Sequence, residues 1–101
     1  MTKQEIKTKL FEAVRNIPHR DVIKAVALFG SYIDDNAREE SDVDVLIDFE
    51  PAAVIGLFEF VEIQQYLADA LGKTVDLLTP ESLSKYFRDE VLKQAEMVYE
   101  K

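Results

Sequence analysis

Residues 22–29, VIKAVALF, form a nearly continuous apolar run of the length of a β-strand. A run of this kind is typical of a strand that is covered on both faces. Residues 43–49, VDVLIDF, and residues 74–78, TVDLL, are two further segments of strand length. The sequence therefore predicts three short strands, and the segments between and around them decide the fold class.

Two segments have helical periodicity. Residues 2–16 begin with a capping box, in which Thr2 is the N-cap and Glu5 the third helical residue, and apolar residues follow at helical spacing. Residues 55–71 have an apolar stripe and are followed by Gly72, at the position of a C-cap glycine. We expect a helix in each segment.

Thr79 and Pro80 have the pattern of an N-cap followed by proline at the first helical position. They predict a last helix, or a pair of short helices, that extends to Tyr99. Residues 32–41 are polar and predict a short helical turn plus a loop. The predicted order is helix, strand, turn, strand, helix, strand, helix, which indicates a mixed α/β fold in one domain, residues 1–101.

Composition and charge limit the possible functions. The net charge is −8, and a partner that is duplex nucleic acid is disfavoured because phosphate binding needs a basic surface. The chain has no cysteine and one histidine, His19, which excludes thiolate and His-rich metal sites. No apolar run approaches the ~20 residues of a membrane span, and no signal peptide is present, so we expect a cytoplasmic protein. A chain of this size would gain stability from a second copy or a partner.

Three aspartates occupy positions where a strand seldom has them. Asp42 and Asp44 alternate at the start of the second strand and therefore share one face, while the apolar residues between and after them take the other face. Asp76 is a lone carboxylate within the third strand. Each has a simpler interpretation: Asp42 as a turn or cap residue, and Asp76 as a solvent-facing residue of an edge strand.

Carboxylates from two adjacent strands can converge on a metal ion. With no histidine or thiol to join them, Asp42, Asp44 and Asp76 would offer only oxygen ligands, which suit Mg²⁺ or Mn²⁺. Residues 34–50 contain eight carboxylates and one basic residue, Arg38, a local charge that favours a cation.

Gly30 and Ser31 follow the first predicted strand. Glycine allows a ligand to approach the backbone closely, and the following amides and the Ser31 hydroxyl can donate hydrogen bonds to phosphate oxygens. We expect these residues to hold nucleotide phosphates while Asp42 and Asp44 hold a metal ion that bridges them.

The pattern Gly30-Ser31, ten residues, Asp42-Val43-Asp44 resembles the signature of DNA polymerase β-type nucleotidyltransferases. Asp76 lies where that family has its third carboxylate. The lead-in LFGS, the segment SDVDVLIDF and the later KTVDLLTPESL resemble the minimal nucleotidyltransferases, which are the antitoxin partners of HEPN-domain toxins. The resemblance covers roughly residues 20–100.

The resemblance implies a fold, an activity and a partner. The fold would be a small mixed β-sheet with helices mainly on one face. The activity would be transfer of AMP from ATP to a hydroxyl, a tyrosine of a HEPN-domain ribonuclease toxin. Asp42, Asp44 and Asp76 would be catalytic and would bind two Mg²⁺ ions, with Asp76 also helping to deprotonate the acceptor. Gly30, Ser31 and Arg38 would bind the nucleotide, and the protein would form a hetero-oligomer with the toxin or a homo-oligomer.

One segment departs from the family pattern. Asp34 and Asp35 replace a basic residue and a second glycine that family members commonly have after the serine. They add negative charge near a bound triphosphate, for which Arg38 could compensate. The alternative function is therefore a weak or inactive binding module that neutralises the toxin by docking alone.

Overall fold

The structure is a computed structural model that describes residues 2–30 and 42–101. The elements, in chain order, are α1 (Lys3–Val14), β1 (Ile23–Phe29), β2 (Val43–Phe49), α2 (Leu57–Leu71), β3 (Val75–Leu78), α3 (Arg88–Gln94) and β4 (Glu96–Glu100), with 3₁₀ turns at Arg20–Val22 and Pro80–Ser82. The predicted turn and loop at 32–41 lie outside the described residues. Within the described part of the chain, no helix combines the length and the apolarity that crossing a membrane requires.

The four strands form one mixed sheet in the order β3-β2-β1-β4. β1 pairs antiparallel with both β2 and β4, while β2 and β3 are parallel. α2 connects the two parallel strands, as a crossover between parallel neighbours requires. The predicted mixed sheet is confirmed.

The core joins α1 and α2 to one face of the sheet. Its buried residues come from both helices and from alternate positions of the strands; they include Ile6, Leu10, Val14, Ile63, Leu67, Leu71, Val43, Val45, Ile47, Val75 and Leu77. The first helix has the predicted capping box at Thr2 and Glu5, and the second ends at Gly72, which has a φ of 70°. The local signals therefore placed both helices correctly.

The middle of β1 is covered on both faces, as its apolar run predicts. Val26, Ala27 and Leu28 are consecutive and all are buried. Ala27 pairs with Leu46 of β2, and these two buried residues lie outside the cluster formed with the helices.

The end of the chain differs from the prediction of helix up to Tyr99. Thr79 and Pro80 begin only the 3₁₀ turn, α3 has seven residues, and the chain then forms β4. β4 pairs with the edge of β1 that β2 leaves open. The backbone groups of β1 along that edge thereby gain hydrogen-bond partners, which a helix continuing to Tyr99 would not have supplied. Tertiary pairing therefore overrides the local helical preference here.

Glu96 anchors β4 to α1. Its two carboxylate oxygens accept hydrogen bonds from the Nζ atoms of Lys3, at 2.8 Å, and Lys7, at 3.0 Å. The hydrogen bond from Lys3 and then that from Lys7 lower the pKa of Glu96 below its usual 4.5, against a smaller opposing effect of burial. Because the pKa is lower in the folded state, the charged carboxylate stabilises the fold above the unfolded-state pKa, and this stabilisation is lost as pH falls through the folded-state value.

We expect Glu96→Gln to lower the free energy of unfolding at neutral pH by no more than about 1 kcal/mol, because the pair is partly exposed. The variant should lose less stability than the wild type when the pH is lowered from about 6 to about 3. Denaturant titrations across this range measure both effects. Glu90→Gln, at an exposed carboxylate of α3, is the control, and equal acid sensitivity of the wild type and Glu96→Gln would contradict the prediction.

Candidate active site

Asp44 and Asp76 lie side by side on neighbouring strands. The parallel register of β2 and β3 pairs Asp44 with Asp76, and it pairs Val43 with Val75 one residue earlier. The valines are buried against the helices, so the two aspartates take the opposite face. Since paired strands lie about 4.8 Å apart, two carboxylates in register are close enough to act on one ligand. The structure therefore brings together two of the three carboxylates that the sequence singles out.

Asp42 lies one residue before β2 and is exposed. The next residue, Val43, donates its backbone N–H to the carbonyl of Thr74 at 2.9 Å, which fixes the entry of β2 against the start of β3. Asp42 lines a groove of about 790 Å³ between α2 and the beginning of β3. The structure thus places Asp42 at the entry of the strand that carries Asp44.

Gly30 is packed against Asp44. It directly follows β1 and has a φ of 79°, and its neighbour Phe29 pairs with Asp44 across the antiparallel strands. A Cβ atom at residue 30 would lie 2.8 Å from Cγ of Asp44, and closer still to the carboxylate oxygen Oδ2. Residue 30 therefore has to be glycine for the Asp44 side chain to keep its position.

The contact with Asp44 is a second reason for glycine at residue 30. The predicted reason was the close approach of a phosphate. Sequence reasoning missed it because it depends on the antiparallel pairing of β1 and β2. A signal was present: two strands joined by a short polar segment are commonly neighbours in a sheet.

Other predicted site residues lie outside the described residues. These are Ser31 and Arg38, expected to bind the nucleotide, and Asp34 and Asp35, the departure from the family pattern. Across residues 2–30 and 42–101, no three residues among His, Cys, Asp and Glu are grouped so that they could hold a metal ion. The structure brings Asp44 and Asp76 together, and the three-carboxylate site stays a prediction.

The donors at this face nevertheless have the chemistry of a hard-cation site. Asp44 and Asp76 supply carboxylate oxygens, and magnesium in phosphate-transferring sites uses one or two carboxylates together with water and substrate oxygens. Because Gly30 has no Cβ, the Asp44 carboxylate has room beside it. These two carboxylates therefore fit a divalent ion that the substrate helps to bind.

The sequence of this chain matches a known protein family over most of its length. The model of the family described as "Polymerase beta, Nucleotidyltransferase" matches residues 12–101, which include Gly30, Asp42, Asp44 and Asp76. The chain belongs to this nucleotidyltransferase family. The predicted membership is confirmed, and so is the fold that it implied.

Individual relatives agree with this assignment. The protein adenylyltransferase MntA of Thermococcus cleftensis is 36% identical over 99 residues, which are 98% of this chain and 96% of the relative. A solved toxin–antitoxin complex with AMP-PNP contains a chain that is 28% identical, with a TM-score of 0.72 over 94% of this chain and 73% of that one.

A second solved complex contains the tri-AMPylated HEPN toxin of Shewanella oneidensis with its MNT antitoxin. The matching chain is 27% identical, with a TM-score of 0.66 over 99% of this chain and 74% of that one. The nucleotidyltransferase relatives of this chain thus include proteins known as adenylyltransferases and as antitoxins.

Proposed function

We propose that this protein transfers AMP from ATP to a tyrosine hydroxyl of a HEPN-domain ribonuclease toxin and thereby neutralises it. The observation that carries the proposal is the similarity to the Thermococcus protein adenylyltransferase along nearly the whole length of both chains. The complexes of related chains with AMP-PNP and with an AMPylated HEPN toxin support the donor and the acceptor. ATP and the RNA that such a toxin cleaves are cytoplasmic, so the proposed reaction takes place in the cytoplasm.

The reaction forms one bond and breaks one. The tyrosine oxygen attacks the α-phosphorus of ATP, and the bond from that phosphorus to the oxygen bridging the α- and β-phosphates breaks, so that pyrophosphate leaves. Asp76, exposed at the open face of β3, accepts the proton of the tyrosine hydroxyl. The product is a phosphodiester, whose negative charge would repel RNA from the toxin.

Asp42, Asp44 and Asp76 are the residues we propose for binding two Mg²⁺ ions, for which Mn²⁺ could substitute. When bound, such ions would neutralise the negative charge of the triphosphate. Asp44 is held in position for this role by the register of β2 with β3 and by its contact with Gly30. Gly30 with Ser31 and Arg38 would orient the phosphates of ATP.

The mass of the toxin tests the proposal. The cognate HEPN-domain toxin is incubated with the purified protein, ATP and Mg²⁺, and is then weighed intact. Each transferred AMP should add about 329 Da, the mass of AMP less water, as expected for a phosphodiester to a hydroxyl. EDTA should abolish the added mass, and the double variant Asp42→Ala/Asp44→Ala should add none.

A second candidate function is neutralisation by docking alone. Asp34 and Asp35 in place of a basic residue and a glycine, together with the net charge of −8, favour it. The two candidates are separated by the same variants: if the wild type adds no mass and the double variant still protects cells from the toxin, docking is the function.

A further inference from the structure

Helix α2 has two apolar faces, and only one of them is used by the core. Ile63, Leu67 and Leu71 are buried against the sheet and α1. A second set is exposed on another side of the helix and just before it. We call these residues the α2 stripe: Val54 at 93% exposure, Leu57 at 75%, Phe58 at 89% and Val61 at 51%.

The three members within α2 have helical spacing and are therefore neighbours in space. Positions 57, 58 and 61 project to the same side of α2, and the middle of this set lies about a third of a turn from the middle of the core residues. Single exposed apolar residues need no explanation, whereas a contiguous group of large ones is typical of an interaction surface.

The α2 stripe continues into the groove that contains Asp42. Val61 belongs to both, and the groove then follows the same side of the helix toward its C-terminal end. The helical residues that line it are Val61, Gln64, Gln65, Ala68 and Asp69. At 1.5 Å per residue, the side from Leu57 to Gly72 is about 22 Å long. A partner anchored on the stripe would therefore lie along a path that leads to the entry of β2.

Charge indicates the chemistry of that partner. α2 contains the carboxylates Glu59, Glu62 and Asp69 and has no Lys, Arg or His. Glu62 pairs with His19, their side-chain atoms being 2.8 Å apart. Two copies of this chain that met through α2 would bring like charges together, which disfavours a second copy. A protein surface with apolar side chains flanked by Lys or Arg would be complementary.

We propose that the α2 stripe is the docking surface for the acceptor protein, which presents to it an apolar surface with basic residues around it. This inference rests on the proposed function, since it identifies how that acceptor is held. Apolar contact supplies the affinity, and the carboxylates of α2 accelerate encounter with a basic partner. The groove from Val61 to Asp42 then leads the partner to the entry of β2, the strand that carries Asp44.

Substitution of Phe58 tests the surface. Phe58→Ser should weaken binding of the cognate HEPN-domain toxin at least about tenfold, as truncation of an aromatic anchor commonly does. Phe87→Ser, at an aromatic residue that is 64% exposed and lies outside α2, should leave binding within about twofold. Both variants should keep the wild-type melting temperature and the wild-type affinity for Mg²⁺-ATP.

The outcomes separate this inference from the proposed function, because titration of the partner measures docking and the mass of the toxin measures transfer. Equal binding by the wild type and Phe58→Ser overturns the docking surface and leaves the transfer proposal standing. Weaker binding by Phe58→Ser with no added mass from the wild type supports the surface and contradicts the transfer. The wild type could instead prove to be a dimer and Phe58→Ser a monomer that binds the partner equally well. That result would assign the α2 stripe to contact with a second copy and overturn the inference.

Discussion

Replacement of Asp44 by asparagine is expected to lower the rate of AMP transfer at least about a hundredfold, with the fold intact. Asparagine has almost the same shape as aspartate, so β2 should keep its packing. It lacks the negative charge that attracts a divalent ion, and the developing charge on the phosphates would then be poorly neutralised. Initial rates of AMP transfer to the toxin, compared with melting temperatures, measure the two effects separately.

Asp48→Asn is the matched control for Asp44→Asn. Asp48 lies on the same alternate face of β2, four residues further on, and pairs with Ala25 of β1. The pairing with β3 ends at Leu46, so Asp48 has no opposing residue on that strand. The control should transfer AMP at close to the wild-type rate. Wild-type rates for Asp44→Asn would contradict the role of Asp44.

Much of the fold could be predicted because its signals are local. The capping box at Thr2 and Glu5, the C-cap Gly72 and the strand of residues 43–49 each depend on a few neighbouring residues, and the structure has them where the sequence indicates. The alternation of carboxylates with buried valines likewise follows from the period of a strand. Such features need no knowledge of distant contacts.

Strand β4 could not be predicted in this way. The segment around Glu96 has charged residues and little β-branching before Val98, and locally it favours a helix. It forms a strand because β1 has an open edge and because Lys3 and Lys7 hold the Glu96 carboxylate. Both causes lie more than 60 residues away in the chain.

The candidate site was predictable in its residue types and less so in its geometry. The sequence indicates that Asp44 and Asp76 belong to neighbouring strands, and only the pairing register shows that they are opposite each other. It also indicates a special role for Gly30, yet the contact with Asp44 requires the antiparallel pairing of β1 and β2. In both cases the missing information is the residue-by-residue register of the paired strands, which local patterns do not encode.

Gly30→Ala and Gly72→Ala form a pair of variants that separates backbone strain from the effect on Asp44. Both glycines have positive φ, 79° and 70°. An alanine at either position should lower the free energy of unfolding by about 1–2 kcal/mol, the cost of a left-handed conformation. A Cβ at residue 72 meets no atom within 4 Å, whereas a Cβ at residue 30 would collide with the Asp44 side chain.

Gly30→Ala should therefore lower the rate of AMP transfer about a hundredfold, which a displacement of about 1 Å of a catalytic group can cause. Gly72→Ala should transfer at close to the wild-type rate despite a similar loss of stability. The rates are measured well below both melting temperatures, so that unfolding does not contribute. If both variants lose activity equally, the loss follows from strain or instability, and the contact between Gly30 and Asp44 has no specific role. If only Gly30→Ala is inactive, the site itself needs glycine at residue 30, which leaves room for the Asp44 carboxylate and for the phosphates of ATP.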